Sequence, residues 1–262
     1  MTVLDHTPSC PPARPMTSVA KALQLLSAFR KARADLSLSE LARRAEVPKS
    51  TAFRLLAELE QSGFVARNGT KYRLGVSCFE LGARYSMCRP QGLRDSAIHF
   101  LSHLHTSTGL TAHLAVLDGP EILYVEKVQG PRAPLVLTMP GQRNPASCTA
   151  LGKALLAFAE PEETSTALDA GLPRATPHSI TDRSRFVSEL ERVRRAGVAY
   201  DRQEFRRELV CVSAPIIVHG ALEAAVSVSG PTAGVRWEQA ESLVRRAAAG
   251  ISRARSARAG TR

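Results

Sequence analysis

Residues 37–74 read SLSELARRAEVPKSTAFRLLAELEQSGFVARNGTKYRL, and this stretch constrains the fold more than any other. Ser37 and Glu40 stand three apart ahead of an apolar run. That is the spacing of a capping box, in which hydroxyl and carboxylate satisfy the free N–H groups of a helix start. Leu38, Leu41, Ala42 and Ala45 then share one helical face. Glu46-Val47 reads as a turn, and Pro48 suits the first turn of a second helix, where its missing N–H costs nothing. At three-residue spacing, Phe53, Leu56 and Leu59 form the expected buried face of that second helix, and Gly63 is its expected stop. Lys49, Ser50, Thr51 and Arg54 are left outward on its N-terminal half. Small and basic donors of this kind are what a helix needs to enter a DNA major groove.

The next residues extend the pattern. Phe64–Arg67 and Thr70–Leu74 flank Asn68-Gly69, the preferred pair for a two-residue hairpin turn with positive φ at both positions. Arg67, Lys71 and Arg73 decorate the hairpin, which reads as a wing lying along a phosphate backbone. Ahead of it, SVAKALQLLSAFR (18–30) places Val19, Leu23, Leu26 and Phe29 at core spacing, completing a three-helix winged helix-turn-helix. A small helix-turn-helix serving only packing or dimerisation, or an RNA-binding winged helix, is the competing interpretation.

Charge is distributed to match. The net charge is +11, of which residues 1–89 carry +7 and the arginine-rich 245–262 carry +6, while 90–244 carry −2. A polyanion-binding end joined to a near-neutral body follows. The RARSARAGTR tail reads as a solvated, frayed end. No apolar run approaches the ~20 residues that span a bilayer. Residues 1–17 have no hydrophobic signal core and read as a disordered leader. Cys10, Cys78, Cys88, Cys148 and Cys211 are odd in number and lack a C-x-x-C pair. Neither a disulfide framework nor a zinc site is expected, and a reducing cytoplasm fits.

Behind the winged unit (18–75), VSCFELGARYS predicts a linker helix within 76–91, broken at Cys88–Gly92. Its Phe79, Leu81 and Tyr85 could form an apolar stripe for a partner or pack on their own domain. Residues 92–258 alternate between helices and hairpins. A helix over 93–108 carries Ile98, Leu101 and Leu104 inward. Strands at 111–117 and 121–128 turn at Asp118-Gly119-Pro120, and a third strand is expected at Leu135–Met139, followed by the loop GQRNPASC. Helices at 149–159 and 161–170 follow, then one capped by Asp182 that carries Phe186, Leu190 and Val193 and ends at Gly197. A second hairpin, 211–218 and 221–229, turns at His219-Gly220, and a final helix covers 236 to about 255. Hairpins with inserted helices indicate an α+β sensory domain, not a doubly wound enzyme sheet.

From about residue 18 to 255 the chain resembles the isocitrate-lyase-regulator (IclR) family of bacterial transcription factors. The matching segments are SVAKALQLLSAF, LSLSELARRAEVPKSTAFRLLAELEQSGFV, YRLG, TALGKALLA, VAYDRQEF, CVSAPI and VSVSGP, in family order. The resemblance implies a winged helix-turn-helix, a linker helix and a GAF-like effector-binding domain with an antiparallel sheet. It also implies homodimers or homotetramers on double-stranded operator DNA, modulated by a small organic effector, and no cofactor. By the same resemblance Ala150, Leu151, Asp201, Cys211, Ser227 and Ser229 line the effector cavity, floored by Leu135, Leu137 and Met139. The residues support a pocket independently. Cys148 or Thr149 opens a helix after a Gly/Pro-rich loop, presenting N–H groups suited to a carboxylate. Ser227 and Ser229 lie two apart on one strand and so face one side, with Cys211 on the neighbouring strand. One departure is Glu208, which stands where the family commonly has glycine.

Catalysis finds little support. TALGKA resembles a phosphate-binding loop, but Ser147 and Ala154 occupy the positions of its first glycine and its magnesium-binding hydroxyl. Lys153 then reads as a solvated or helix-packing residue. Cys211 near His219 suggests a thiol nucleophile, yet a strand cysteine is usually a small core residue. His99 and His103 stand at i, i+4, a geometry that can hold a metal, but a surface or core pair is the expected reading and no metal is expected.

Overall fold

The computed structural model describes residues 16–32, 34–85, 92–129 and 138–259. Most of the leader, Cys10, Cys88, and Leu135 and Leu137 with their expected strand lie outside these residues. The chain divides into two compact units between Gly82 and Ala83.

In the first unit, α1 (Ser18–Ser27) is N-capped by Thr17 and runs into a 3-10 turn, Ala28–Lys31. Strand β1 (Leu36–Ser37) leads into α2 (Leu38–Arg44), where Ser37 and Glu40 make both halves of the capping box. Pro48 is the N-cap of α3 (Lys49–Gln61), one position ahead of the expected first turn. Strands β2 (Val65–Asn68) and β3 (Lys71–Leu74) form the wing, with β1 on the other side of β3. Leu25, Phe29, Leu41, Leu56, Val65 and Tyr72 anchor the core. Removing each such side chain from water contributes about 1.5–3 kcal/mol.

Several expected positions are corrected here. Val19 and Leu23 are 70% and 59% exposed, and Leu25 takes the core position of α1. Helix α3 buries Ala52, Leu55 and Leu56, leaving Phe53 exposed. Helical spacing alone could not separate these two faces, because the apolar residues of α3 cover more than half its circumference. The hairpin turn is Gly69-Thr70, not Asn68-Gly69: Asn68 pairs with Lys71 inside the ladder, and only Gly69 has positive φ (+59°). Asn68 is held there by its side-chain amide, which donates to Asp35 Oδ2 at 2.7 Å.

Helix α4 (Val76–Arg84) buries none of its residues, and Phe79, Leu81 and Tyr85 beyond it are exposed. The second unit begins with α5 (Leu93–Thr108), closed by Gly109 at φ +69°. Strands β4 (Thr111–Asp118), β5 (Glu121–Val128) and β6 (Arg143–Pro145) come next. Helices α6 (Ala150–Leu156), α7 (Pro161–Asp169) and α8 (Arg183–Ala196) precede β7 (Ala199–Arg202), β8 (Leu209–Val218), β9 (Ala221–Pro231) and α9 (Trp237–Ala259). The sheet order is β6-β5-β4-β9-β8-β7, every neighbour antiparallel. This is an α+β fold. The strands β6 and β7 were not expected. Both are too short to show a period-two pattern, and β6 falls in the segment read as a loop. Thr138 and Met139, expected at the end of a strand, are not in one.

The sheet separates two cores. Helices α5 and α9 pack on the face bearing Leu114, Val212, Val226 and Val228. Helices α6 and α8 pack on the face bearing Ala115, Ala199 and Ala225. Contrary to the frayed-tail expectation, α9 stays helical through Ala259, and Arg255 Nε donates to both carboxylate oxygens of Glu223 at 3.0 Å.

Candidate functional site

On the winged unit, Lys49, Ser50 and Arg54 of α3 are exposed and Thr51 is half-buried. Strand register sorts the wing. Arg67 lies opposite Tyr72 on the face that carries the buried Val65, whereas Lys71 and Arg73 lie on the opposite face with Asn68 and Ala66. Arg67 is accordingly engaged: its Nη2 donates to the Tyr72 hydroxyl at 2.8 Å, and its Nε lies 3.7 Å from Glu60. Lys49, Arg54, Lys71 and Arg73 have no ion-pair partner among the described residues.

In the second unit, the sheet face beneath α6 carries the polar groups in rows. Register aligns Thr111, Ser229, Cys211 and Asp201 across four strands, and His113, Ser227, Ser213 and Ala199 in the row beside it. Next to this face lies a cavity of about 340 Å³. Six expected residues, Ala150, Leu151, Asp201, Cys211, Ser227 and Ser229, line it together. Met139 does not, being 53% exposed, and Thr138 and Gln142 stand nearby instead. Thr149, expected at the helix start beside the ligand, lines it too, and the further lining residues include His113, Tyr124, Phe205, Arg206 and Leu209, which spacing did not single out as pocket residues. One signal was available for His113, a lone histidine in an otherwise apolar strand, TAHLAVL.

The helix over the cavity is positioned by Thr149, whose Oγ1 accepts from Gly152 N at 3.0 Å. Helical bonding begins with Lys153 N–H donating to the Thr149 carbonyl, so the N–H groups of Ala150 and Leu151 precede it. Gly152 is required here, because a Cβ would lie 2.0 Å from the Ala146 carbonyl oxygen. The TALGKALLA segment therefore places Ala150 and Leu151 against the cavity by letting two backbones touch.

Burial sets the protonation of the lining. His113 Nε2 lies 2.8 Å from Thr138 Oγ1. Loss of solvation, aided by the Lys127 charge, pushes its pKa down to about 3, so the ring is neutral. The Tyr124 hydroxyl and the Cys211 thiol are both pushed up by burial and stay protonated at neutral pH. Asp201 is raised to about 7 by burial and then by Glu204, against the N–H groups of Glu204 and Phe205 that its Oδ1 accepts at 2.6 and 3.3 Å. Behind Asp201, Lys153 is 1% exposed, with Nζ at 2.6 Å from Glu204 and 3.2 Å from Glu189. Of the two expectations, solvated or helix-packing, the solvated one fails: Lys153 is a buried ion-pair centre, because α8 and the Glu204 turn bring carboxylates from distant sequence. Two buried polar atoms of the lining, His113 Nδ1 and Ser227 Oγ, have no hydrogen-bond partner among the described residues. Glu208 is exposed at φ +62°, which accounts for glycine being the easier occupant of that position.

Two family models match successive parts of the chain. The IclR helix-turn-helix domain matches residues 18–69, and the bacterial transcriptional regulator IclR C-terminal domain matches residues 86–253. The chain belongs to the IclR family. Among IclR-family relatives, the HTH-type transcriptional regulator XynR of Escherichia coli K12 is 32% identical over 222 residues, covering 83% of this chain and 87% of that protein. An IclR homolog from Microbacterium hydrocarbonoxydans, solved in complex with 4-hydroxybenzoate, is 29% identical with a TM-score of 0.85, covering 92% of this chain and all of that one. The Thermotoga maritima IclR is 31% identical with a TM-score of 0.72, covering 91% and 98%. This IclR-family chain is thus a transcriptional regulator with a C-terminal ligand-binding domain, and its named relatives are regulators, not enzymes. No helix among the described residues is long and apolar enough to cross a membrane.

Proposed function

We propose that this regulator binds double-stranded operator DNA through α3 and the wing, and that a small organic acid in the cavity changes that binding. The observation that carries the ligand reading is the pair of buried atoms His113 Nδ1 and Ser227 Oγ, unpartnered among the described residues, on directly opposed residues of β4 and β9. A buried polar group without a partner costs about 1–3 kcal/mol, and a hydroxyl-bearing ligand relieves that cost. The volume falls in the range of small-molecule sites, and Tyr124, Leu151, Phe205 and Leu209 supply apolar and aromatic walls. A carboxylate finds donors in the Ala150 and Leu151 N–H groups, and in Asp201 while it is protonated. An aromatic hydroxy acid meets all of these demands, and the relative solved with 4-hydroxybenzoate supports that class.

On the DNA side, Lys49, Ser50, Thr51 and Arg54 contact bases and adjacent phosphates, and Lys71 and Arg73 neutralise phosphates, with Arg67 bracing Tyr72. Residues 18–75 form the DNA-binding domain, 76–91 the linker and 92–258 the effector domain. A homodimer or homotetramer in the cytoplasm sets two α3 helices into successive grooves of a pseudopalindromic site. Ligand acts by preferring one arrangement of the assembly, since equal affinity for both shifts nothing.

Thermal-shift and gel-shift titrations with aromatic and aliphatic acids test this. A hydroxybenzoate should raise the melting temperature saturably and alter operator retardation. Cys211→Phe, which fills the cavity, should abolish both responses while leaving ligand-free DNA binding intact. An unchanged response in that variant overturns the assignment of the cavity.

A further inference from the structure

We propose that Phe53 recognises thymine C5-methyl groups in the operator major groove, an inference that rests on the reading of α3 as the DNA-contacting helix. Helix α3 already has a complete core face in Ala52, Leu55 and Leu56, with Leu59 partly buried against it. Phe53 lies outside that face and is 53% exposed. Its helical neighbours at i−4, i−3 and i+4 are Lys49, Ser50 and Ala57, and Arg54 follows it; all four are exposed. The outward surface of α3 therefore carries an apolar pair, Phe53 and Ala57, with the donors Lys49, Ser50 and Arg54 around Phe53 and the Arg67-paired Glu60 beyond Ala57.

The surrounding charge selects the occupant. Lys49 and Arg54 have no ion-pair partner among the described residues, and Lys71 and Arg73 lie on the outer face of the wing. An apolar protein surface covering Phe53 would have to desolvate those cations without compensation. A nucleic-acid groove instead meets them with phosphates. Within the major groove, the apolar contact that a phenyl ring can make to a base edge is the thymine methyl, which distinguishes thymine from cytosine. The helix thus offers donors for polar base edges and a ring for a methyl on one surface.

The experiment uses the full-length protein and a duplex selected from a randomised library. Each thymine of the selected site is replaced in turn by deoxyuridine, which removes only the methyl. For the unmodified protein, deoxyuridine at one or two positions per half-site should weaken binding roughly fourfold, the equivalent of about 0.8 kcal/mol for one buried methyl. In Phe53→Ala the same replacements should have no effect, and Phe53→Leu should retain a partial one. Unchanged melting temperatures and oligomeric state in both variants confirm that the fold is intact. Three outcomes overturn the proposal: no deoxyuridine position matters, the loss persists in Phe53→Ala, or Phe53→Ala alters the oligomeric state. If no duplex is selected at all, the DNA-binding reading itself fails, which is a distinct result.

Discussion

The winged unit wraps Leu25, Leu41, Leu56 and Tyr72 inside and keeps Lys49, Arg54, Lys71 and Arg73 in water. The C-terminal unit turns His113, Lys153, Asp201 and Ser227 inward, each about 1% exposed. The contrast is one of solvation. The charges proposed to meet a polyanion stay hydrated in the folded chain and cost the fold nothing. The groups buried in the second unit are desolvated in advance, so burial shifts the protonation of His113 and Asp201 and leaves Ser227 Oγ without a hydrogen-bond partner among the described residues. Stability should therefore be more sensitive to polar substitutions in the second unit, and affinity for DNA more sensitive to those in the first.

The largest expected effect is at Lys153. Replacing it by Ala leaves the buried Glu204 without its cation, while Glu189 keeps Arg192, a loss of about 3–5 kcal/mol, read by thermal unfolding. A melting temperature within a degree or two of the unmodified protein's would break the contrast at its strongest point. Arg54→Ala should do the reverse, leaving stability unchanged while weakening operator binding by about 1–3 kcal/mol if Arg54 reads a base edge. Lys71→Ala should weaken all duplexes alike and reduce the slope of log affinity against log salt by about one unit. Gel-shift titrations at several salt concentrations separate the two roles.

Asp201 sharpens the contrast through pH. Its raised pKa means that the folded chain holds this proton more tightly than the unfolded chain. Its contribution therefore favours the fold at low pH and is lost as pH rises through about 7. His113 has the opposite sign: its contribution is complete above the ordinary histidine value of 6.5 and is lost as pH falls toward about 3. Affinity for an anionic ligand should decline as Asp201 ionises, and Asp201→Asn should flatten that decline in calorimetric titrations from mildly acidic to mildly alkaline buffer. A decline of equal size in the variant assigns the titration to another group. The smallest effect is expected of Glu208→Gly, which relieves a positive φ and should stabilise by about 0.5–1 kcal/mol. Its backbone N–H bond to Gln203 Oε1 is retained, so destabilisation there would show that the Glu208 side chain matters.

Much of the architecture was legible because local chemistry and tertiary packing agree. The Ser37–Glu40 capping box, the Asp182 cap, the Gly197 stop and the His219-Gly220 turn each involve groups within a few residues of one another. Legibility failed where a choice depended on distant partners. Val19, Leu23 and Phe53 have the right residue type for a core, but other apolar residues on their helices occupy it. Asn68 is drawn into the ladder, with its amide bonded to Asp35, thirty-three residues away in sequence. The six cavity residues named in advance came from a family resemblance carried by short motifs. Tyr124, Thr138 and Gln142 lay beyond reach, and His113 offered only its residue type, because only strand register and loop placement bring them to the same volume.

Sequence alone determined the two-part division of charge, the winged element with its capped helices and basic hairpin, and the alternation of hairpins and helices behind it. These rest on interactions of short range along the chain, where spacing is geometry. Tertiary structure alone decided which apolar residues are wet, that Lys153 is a buried ion-pair centre, and that four strands align Thr111, Ser229, Cys211 and Asp201 in one row. The physical reason is that desolvation and register are properties of what packs opposite a residue, and the partner lies tens of residues away.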